Sequence, residues 1–142
     1  MKGRKRTGVV DVLGLILKCH VGSAHQADVK AAPWVLFGVL ERYGRLAKIL
    51  ADQGYQGDLE VDIEAVYGVV FEGVKQEGKG FSVQPQRWIV ERTWAWLENG
   101  RALTRDYERL PENHEGMVYI AMIRLMLRRL ENNRRRGKQK TA

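Results

Sequence analysis

The chain has 142 residues, of which 44% are hydrophobic, enough for one domain with an apolar core. Lys and Arg outnumber Asp and Glu by 24 to 17, a net charge of +7 that suits phosphate backbones or anionic surfaces and selects neither alone. The single cysteine, Cys19, excludes an internal disulfide and indicates a cytoplasmic protein. No signal peptide and no apolar run approaching the roughly 20 residues of a membrane-spanning helix is present, so no membrane partner is expected.

The first half of the chain alternates strand and helix patterns. A β-rich stretch predicts a hairpin of strands Val9–Val12 and Leu15–Val21 that turns at Leu13-Gly14. A helical pattern follows over residues 26–43, firm from Pro33 because proline is tolerated in a first helical turn. The apolar run 46–51 then predicts a buried strand that leads into a polar loop.

The second half continues this alternation. We predict a helix over 58–65, a strand over 66–74, and loops at 76–80 and 84–86. Helical spacing returns over 88–97, a charged connection follows, and a long helix spans 114–132. The order of elements predicts an α/β layered domain.

Basic residues gather at the two ends of the chain. Lys2, Arg4, Lys5 and Arg6 open it, and a second group runs from Arg124 to Lys140. Such clusters fit either the footprint of a polyanion or a pair of solvated tails. Residues 132–142 are predicted to form a basic disordered tail.

Two carboxylates occupy positions in the sequence that are suited to binding a metal ion. Asp52 follows an apolar strand pattern directly, and a carboxylate at the carboxyl end of a strand is well placed to hold a cation. Glu91 follows on the helix predicted over 88–97, and Mg²⁺ takes one or two carboxylates from separate elements. A second interpretation stays open, in which Asp52 caps a turn and Glu91 is a surface residue paired with Arg87.

Five segments of the chain carry a resemblance to a known family. They are Lys2-Gly3-Arg4-Lys5-Arg6, Ala51-Asp52-Gln53-Gly54-Tyr55-Gln56-Gly57, Arg87-Trp88-Ile89-Val90-Glu91-Arg92-Thr93-Trp94-Ala95-Trp96-Leu97, Thr104-Arg105-Asp106-Tyr107-Glu108-Arg109-Leu110-Pro111-Glu112 and Ile120-Ala121-Met122-Ile123-Arg124-Leu125-Met126-Leu127-Arg128-Arg129-Leu130. Together they resemble bacterial insertion-sequence DDE transposases, whose catalytic domain is RNase H-like. The similarity covers nearly the whole chain in the family's order.

The resemblance implies roles for particular residues. Asp52 would be the second catalytic carboxylate and Glu91 the third, and both would hold a metal ion. The residues expected to contact DNA are Arg87, Arg92, Tyr55, Trp94, Arg101, Lys5 and Arg6. Trp88 and Trp96 are expected to pack instead, leaving Trp94 as the better base-stacking candidate.

Three departures from the family's pattern concern how the DNA strand is handled. Gln84 stands where many relatives have a tyrosine, Glu98 where a basic residue is expected, and the paired arginines of the family are reduced to Arg101 and Ala102.

The largest departure is at the front of the chain. The family's first aspartate lies on a strand upstream of the Gly3–Arg6 segment, where this chain begins. We therefore predict, over residues 1–131, a partial RNase H-like mixed sheet with flanking helices that lacks its first, central strand. Its neighbours would then carry unpaired backbone groups, which are costly to bury. Asp11 is interpreted as a structural or surface residue.

The function implied is DNA transposition by metal-dependent phosphoryl transfer, with Mg²⁺ or Mn²⁺ as cofactor. Strand cleavage would free a 3′-hydroxyl at an insertion-element end, and that hydroxyl would attack target DNA. Expected partners are both DNAs, together with an upstream transposase segment or a second copy that completes the active site. Two alternatives stay open: an inactive remnant that binds DNA non-specifically, and a protein that interferes with full-length transposase.

Overall fold

The computed structural model describes residues 4–25, 28–55, 57–74, 88–105 and 107–140. In chain order its elements are β1 (Arg4–Val10), β2 (Ile16–Ser23), α1 (Asp28–Arg42), β3 (Lys48–Asp52), α2 (Asp58–Tyr67), β4 (Val70–Val74), α3 (Trp88–Glu98), α4 (Arg101–Thr104) and α5 (Pro111–Lys140). A 3-10 turn, Gln53–Tyr55, follows β3. The mixed α/β architecture agrees with the predicted class. The loops predicted at 76–80 and 84–86 lie outside the described residues.

The strands β1 and β2 form an antiparallel hairpin in which Arg4 lies opposite Ser23. Its turn depends on Asp11, whose carboxylate Oδ1 accepts hydrogen bonds from the backbone N–H groups of Leu13 and Leu15 at 2.9 and 2.8 Å. Gly14 follows at φ 78°, which only glycine adopts without strain. Asp11 is therefore structural, as interpreted from the sequence. The predicted start of the first strand, Val9, was wrong, because the strand begins at Arg4 within the charged N-terminal segment.

The strands β3 and β4 form a separate parallel pair, with Lys48 opposite Val70 and Asp52 opposite Val74. The helix α2 connects them and ends at Gly68, which has a left-handed conformation at φ 63° and donates its N–H to the Glu64 carbonyl. The strand predicted over 66–74 was therefore wrong at its start. Val66 lies in the helix although β-branched residues favour strands.

The helix α1 begins at Asp28, so Pro33 lies inside it rather than in its first turn. The proline removes one helix hydrogen bond. Ala32 and Leu36 are buried on either side, and we infer that their packing offsets that loss. The helix lies against both strands of the hairpin and against the 3-10 turn.

Two apolar clusters form the core. One holds Ile16, Cys19, Val21, Leu97, Leu103, Val118 and Met122, and it lies between the hairpin and the helices α3, α4 and α5. The other holds Ala32, Leu36, Leu40, Ile49, Ile63, Val69 and Phe71, and it joins α1, α2 and the β3–β4 pair. Val9 of β1 packs against the second cluster, so the hairpin contributes to both.

Side chains of α5 complete the hydrogen bonding at the edge of β2. Within the described residues β1 pairs only with β2, and β3 only with β4. Two N–H groups of β2 are satisfied by side chains of α5: Cys19 N–H donates to the Tyr119 hydroxyl at 3.0 Å, and Val21 N–H to the Glu115 carboxylate at 2.7 Å. These two acceptors on α5 stabilise the fold, because a buried N–H group without a hydrogen-bond partner is costly.

The long helix α5 extends to Lys140. It was predicted to end at Asn132, with a disordered tail beyond. One reason for the continuation is a helical ion pair four residues apart, in which Arg135 contacts Glu131 at 2.5 Å.

The buried Cys19 predicts a specific loss of stability at high pH. Burial raises the pKa of its thiol from 9.0 to about 12, and the Glu115 carboxylate adds to this. The folded state therefore keeps a proton that the unfolded chain releases, so this contribution is complete below pH 9 and is lost as the pH rises toward about 12. We expect the melting temperature of the wild type to fall more steeply between about pH 8 and about pH 10.5 than that of Cys19→Ala. Parallel curves would contradict the assignment.

Candidate active site

Asp52 is the last residue of β3 and is exposed to solvent. The strand ends there because a 3-10 turn begins at Gln53. Tyr55 closes that turn half-buried and packs against the second apolar cluster. The turn is thus anchored in the core while the carboxylate of Asp52 stays accessible at the strand's carboxyl end.

Glu91 lies in the first turn of α3 and is also exposed. A carboxylate in this position is stabilised by the partial positive charge of the helix N-terminus. The helix contacts β1, α4 and α5, whereas β3 contacts β4 and the 3-10 turn. The two carboxylates thus belong to the two different halves of the core.

Carboxylate oxygens are the hard ligands that Mg²⁺ prefers, so the donor chemistry of Asp52 and Glu91 fits that ion. Among the described residues, however, no group of three His, Cys, Asp or Glu side chains is close enough to hold a metal.

A stack of alternating tryptophan and arginine side chains fixes α3. The Arg92 guanidinium lies over the Trp88 ring at 4.2 Å and over the Trp96 ring at 4.5 Å. Arg129 from α5 covers Trp96 at 4.4 Å, and its guanidinium also donates to the Leu13 carbonyl at 3.2 Å. We call these four side chains, Trp88, Arg92, Trp96 and Arg129, the Trp–Arg stack.

The hairpin turn docks directly on α3 beside this stack. The buried Thr93 hydroxyl donates to the Gly14 carbonyl at 3.0 Å. A Cβ at Gly14 would approach the Thr93 hydroxyl to 2.7 Å and Trp96 to 3.0 Å. Glycine is therefore required here for close approach as well as for its positive φ, and the contact sets the position of the helix that carries Glu91.

The two arginines of the basic N-terminal segment make contacts within the protein. Arg6 lies over the Trp94 ring at 5.1 Å and pairs with Glu98 at 2.5 Å. Arg4 donates to the Arg109 carbonyl at 2.7 Å. Lys5, on the opposite face of β1, is exposed.

The remaining predicted DNA contacts are placed as follows. Trp94 is half-buried against the first apolar cluster, and its ring would meet a Cβ at Gly8 at 3.0 Å. Trp88, expected to pack, is 47% exposed. Arg87 lies outside the described residues, and so does the side chain of Arg101.

Sequence reasoning missed the Trp–Arg stack. The spacing of Trp88, Arg92 and Trp96, four residues apart on one helix face, was the available signal. Arg129 carries no comparable signal, because it comes from another helix.

A family model described as a transposase DDE domain matches residues 49–128, more than half of the 142 residues. The chain belongs to the transposase DDE domain family. No curated protein and no solved structure matches it. The family's activity is DNA transposition, and its domains generally use a divalent metal ion.

The matched region of this transposase domain begins in β3 and ends in α5, so it contains both Asp52 and Glu91. The β1–β2 hairpin lies before it. In the part of the chain that the structure describes, no helix is long and apolar enough to cross a membrane.

The Trp–Arg stack predicts that Arg92 stabilises the domain through its planar group. Arg92→Lys keeps the charge but loses the flat surface that lies between two rings. We expect this change to lower the free energy of unfolding by about 1–2 kcal/mol. Urea unfolding followed by tryptophan fluorescence measures it. Arg134→Lys, on an exposed part of α5, is the matched control and should lie within about 0.5 kcal/mol of wild type. Equal effects of the two changes would argue against the stack.

Proposed function

We propose that this domain contributes Asp52 and Glu91 to a divalent-metal site that cleaves and joins DNA strands at insertion-element ends. The observation that carries the proposal is the family match, because it spans both residues. Their exposure supports it, since a catalytic carboxylate must reach both metal and DNA. The strand end and the helix N-terminal turn present the two carboxylates from rigid elements rather than from loops.

The metal proposed is Mg²⁺, with Mn²⁺ as the substitute. When bound, it would supply a nucleophile at neutral pH and stabilise the leaving oxygen of the phosphodiester. The protein's own contribution is to hold the carboxylates in position. Tyr55 anchors the turn after Asp52, and the Trp–Arg stack with Thr93 anchors the helix that carries Glu91.

The side chains around Arg92 limit how its guanidinium can contact a DNA phosphate. Trp88 and Trp96 lie against the guanidinium, so only the nitrogens at its edge are available to an anion. Its buried Nε has no hydrogen-bond partner among the described residues. Arg87, four residues before Glu91 in the sequence, remains the better candidate for a direct phosphate contact in this proposal.

A third carboxylate is proposed to come from another polypeptide segment, either an upstream transposase segment or a second copy. Such a segment would pair as a strand with the edge of β1 or β3, each of which has one strand partner in the described structure. The edge of β2 is less suitable, because Tyr119 and Glu115 already accept its N–H groups.

The proposal predicts that Glu91→Gln and Asp52→Asn abolish metal-dependent cleavage while DNA binding remains. Each change removes a negative charge but keeps the shape of the side chain. We expect cleavage of DNA carrying the element ends to fall by about two orders of magnitude or more. Assays contain the chain together with the polypeptide encoded immediately upstream, and Mn²⁺ binding followed by electron paramagnetic resonance is the second readout.

Glu112→Gln is the matched control, because Glu112 is likewise an exposed carboxylate in the first turn of a helix. Cleavage by Glu91→Gln at the control's rate would show that Glu91 is not a metal ligand. Loss of Mn²⁺ binding in all three variants would instead indicate a general loss of fold.

The second candidate function is that of an inactive DNA-binding remnant. It is favoured by the incomplete carboxylate set in the described residues and by exposed arginines on α5, among them Arg134 and Arg136. It predicts sequence-independent binding whose logarithm falls linearly with the logarithm of salt concentration. Replacing Arg134 and Arg136 by alanine should reduce the slope by about 1–2, whereas Glu91→Gln should leave it unchanged. Electrophoretic mobility shifts at several salt concentrations measure the slope. An unchanged slope in the arginine variant would rule out this contact.

A protein of either kind could also interfere with intact transposase by mixed assembly. Co-expression with an intact relative tests this, because an unchanged transposition frequency would exclude interference.

A further inference from the structure

An apolar groove lies between α3, α4 and α5, away from Asp52. Its volume is about 430 Å³. The apolar side chains that line it are Leu97, Leu103, Met117, Ile120, Ala121 and Leu125. Ile120 is 59% exposed, so the groove is open to solvent. An open apolar groove of this kind fits the apolar face of a helix.

Two arginines form the rim of the groove on α5. Arg124 and Arg128 are one helical turn apart, line the groove and are exposed. Neither makes a hydrogen bond or ion pair with another described residue. The rim therefore carries two unneutralised positive charges beside an apolar surface, which favours an amphipathic occupant with acidic side chains.

A DNA base is a poorer fit to this groove. Trp96 is the aromatic residue among those that line it. Both Arg92 and Arg129 lie over its ring, so the ring surface that a base would stack on is covered.

A helix of the required character is present in the chain itself. In α2, Leu59 and Tyr67 pack against the second apolar cluster and Ile63 is fully buried. The opposite face is exposed and consists of Asp58, Val61, Asp62, Ala65 and Val66. Val61 is 64% exposed and Val66 is 72% exposed. This face combines apolar side chains with two acidic residues spaced four apart.

We propose that the exposed face of α2 docks into the α3–α4–α5 groove of a second copy of this chain. Asp58 and Asp62 have the same four-residue spacing as Arg124 and Arg128, so two charge pairs can form along one pair of helices. Val61 and Ala65 then face the apolar lining.

The contact joins two different surfaces rather than one surface to itself. Within one molecule α2 packs on β4, whereas α5 packs on β2, α3 and α4. The pairing is therefore heterologous, with the groove of one copy meeting the helix of another.

The test is a pair of charge reversals. The groove variant carries Arg124→Glu and Arg128→Glu, and the helix variant carries Asp62→Lys. Sedimentation velocity at low salt measures self-association over a range of concentrations. We expect wild type to associate, and each variant to associate at least about tenfold more weakly because like charges then meet. A mixture of the two variants should associate again, because the unchanged groove of the helix variant meets the unchanged helix of the groove variant, and the reversed groove matches the reversed helix.

A third variant and a control keep the test independent of folding. Ile120→Ser removes an exposed apolar contact without adding charge and should also weaken association. Arg134→Glu with Arg136→Glu makes the same change of charge farther along α5 and should leave association unchanged.

Three results would overturn the proposal. They are a monomeric wild type at concentrations up to about 1 mM, a variant mixture that fails to associate, and a groove variant that loses only DNA binding. The last result would assign Arg124 and Arg128 to DNA. None of these outcomes depends on whether Asp52 and Glu91 hold a metal ion.

Discussion

Each sheet in the described structure has only two strands, and this constraint explains most of the other contacts. A two-stranded sheet is marginal by itself because one edge of each strand lacks a partner. The helices therefore provide what further strands would provide elsewhere. The Tyr119 hydroxyl and the Glu115 carboxylate accept the N–H groups of β2, and α1 packs across the hairpin toward the 3-10 turn.

The same constraint determines how the candidate active site is held. Among the described residues, no continuous sheet connects β3, which carries Asp52, to the hairpin on which α3 rests. The position of Glu91 depends instead on side chains: the Thr93–Gly14 hydrogen bond and the Trp–Arg stack. The two halves are connected by α1, which lies against both strands of the hairpin, and by Val9, which packs against the second apolar cluster. A site built this way is sensitive to changes far from its carboxylates.

Local sequence patterns correctly predicted the elements that are determined by interactions between residues close in sequence. The hairpin with its turn near Gly14, the strand before Asp52 and the helix of Glu91 all follow from short-range periodicity and turn chemistry. The predicted ends of helices and strands were wrong where a single residue sets the boundary. Gly68 ends α2 and excludes Val66 from the strand.

Features made by distant residues could not be read from the sequence. Arg129 reaches Trp96 from another helix, and Arg6 is drawn from the expected DNA surface to Glu98. Both depend on tertiary packing. The metal and DNA roles of the site residues rest on the family pattern and remain predictions.

The protection of the β2 edge also has a consequence for how the chain is made. The partners of Cys19 and Val21 follow them by 100 and 94 residues. During synthesis, which proceeds from the N-terminus, the hairpin leaves the ribosome long before α5 exists. Its edge is then exposed to other nascent chains, and exposed edges promote aggregation. Polysomes that carry several copies close together bring such exposed edges near one another.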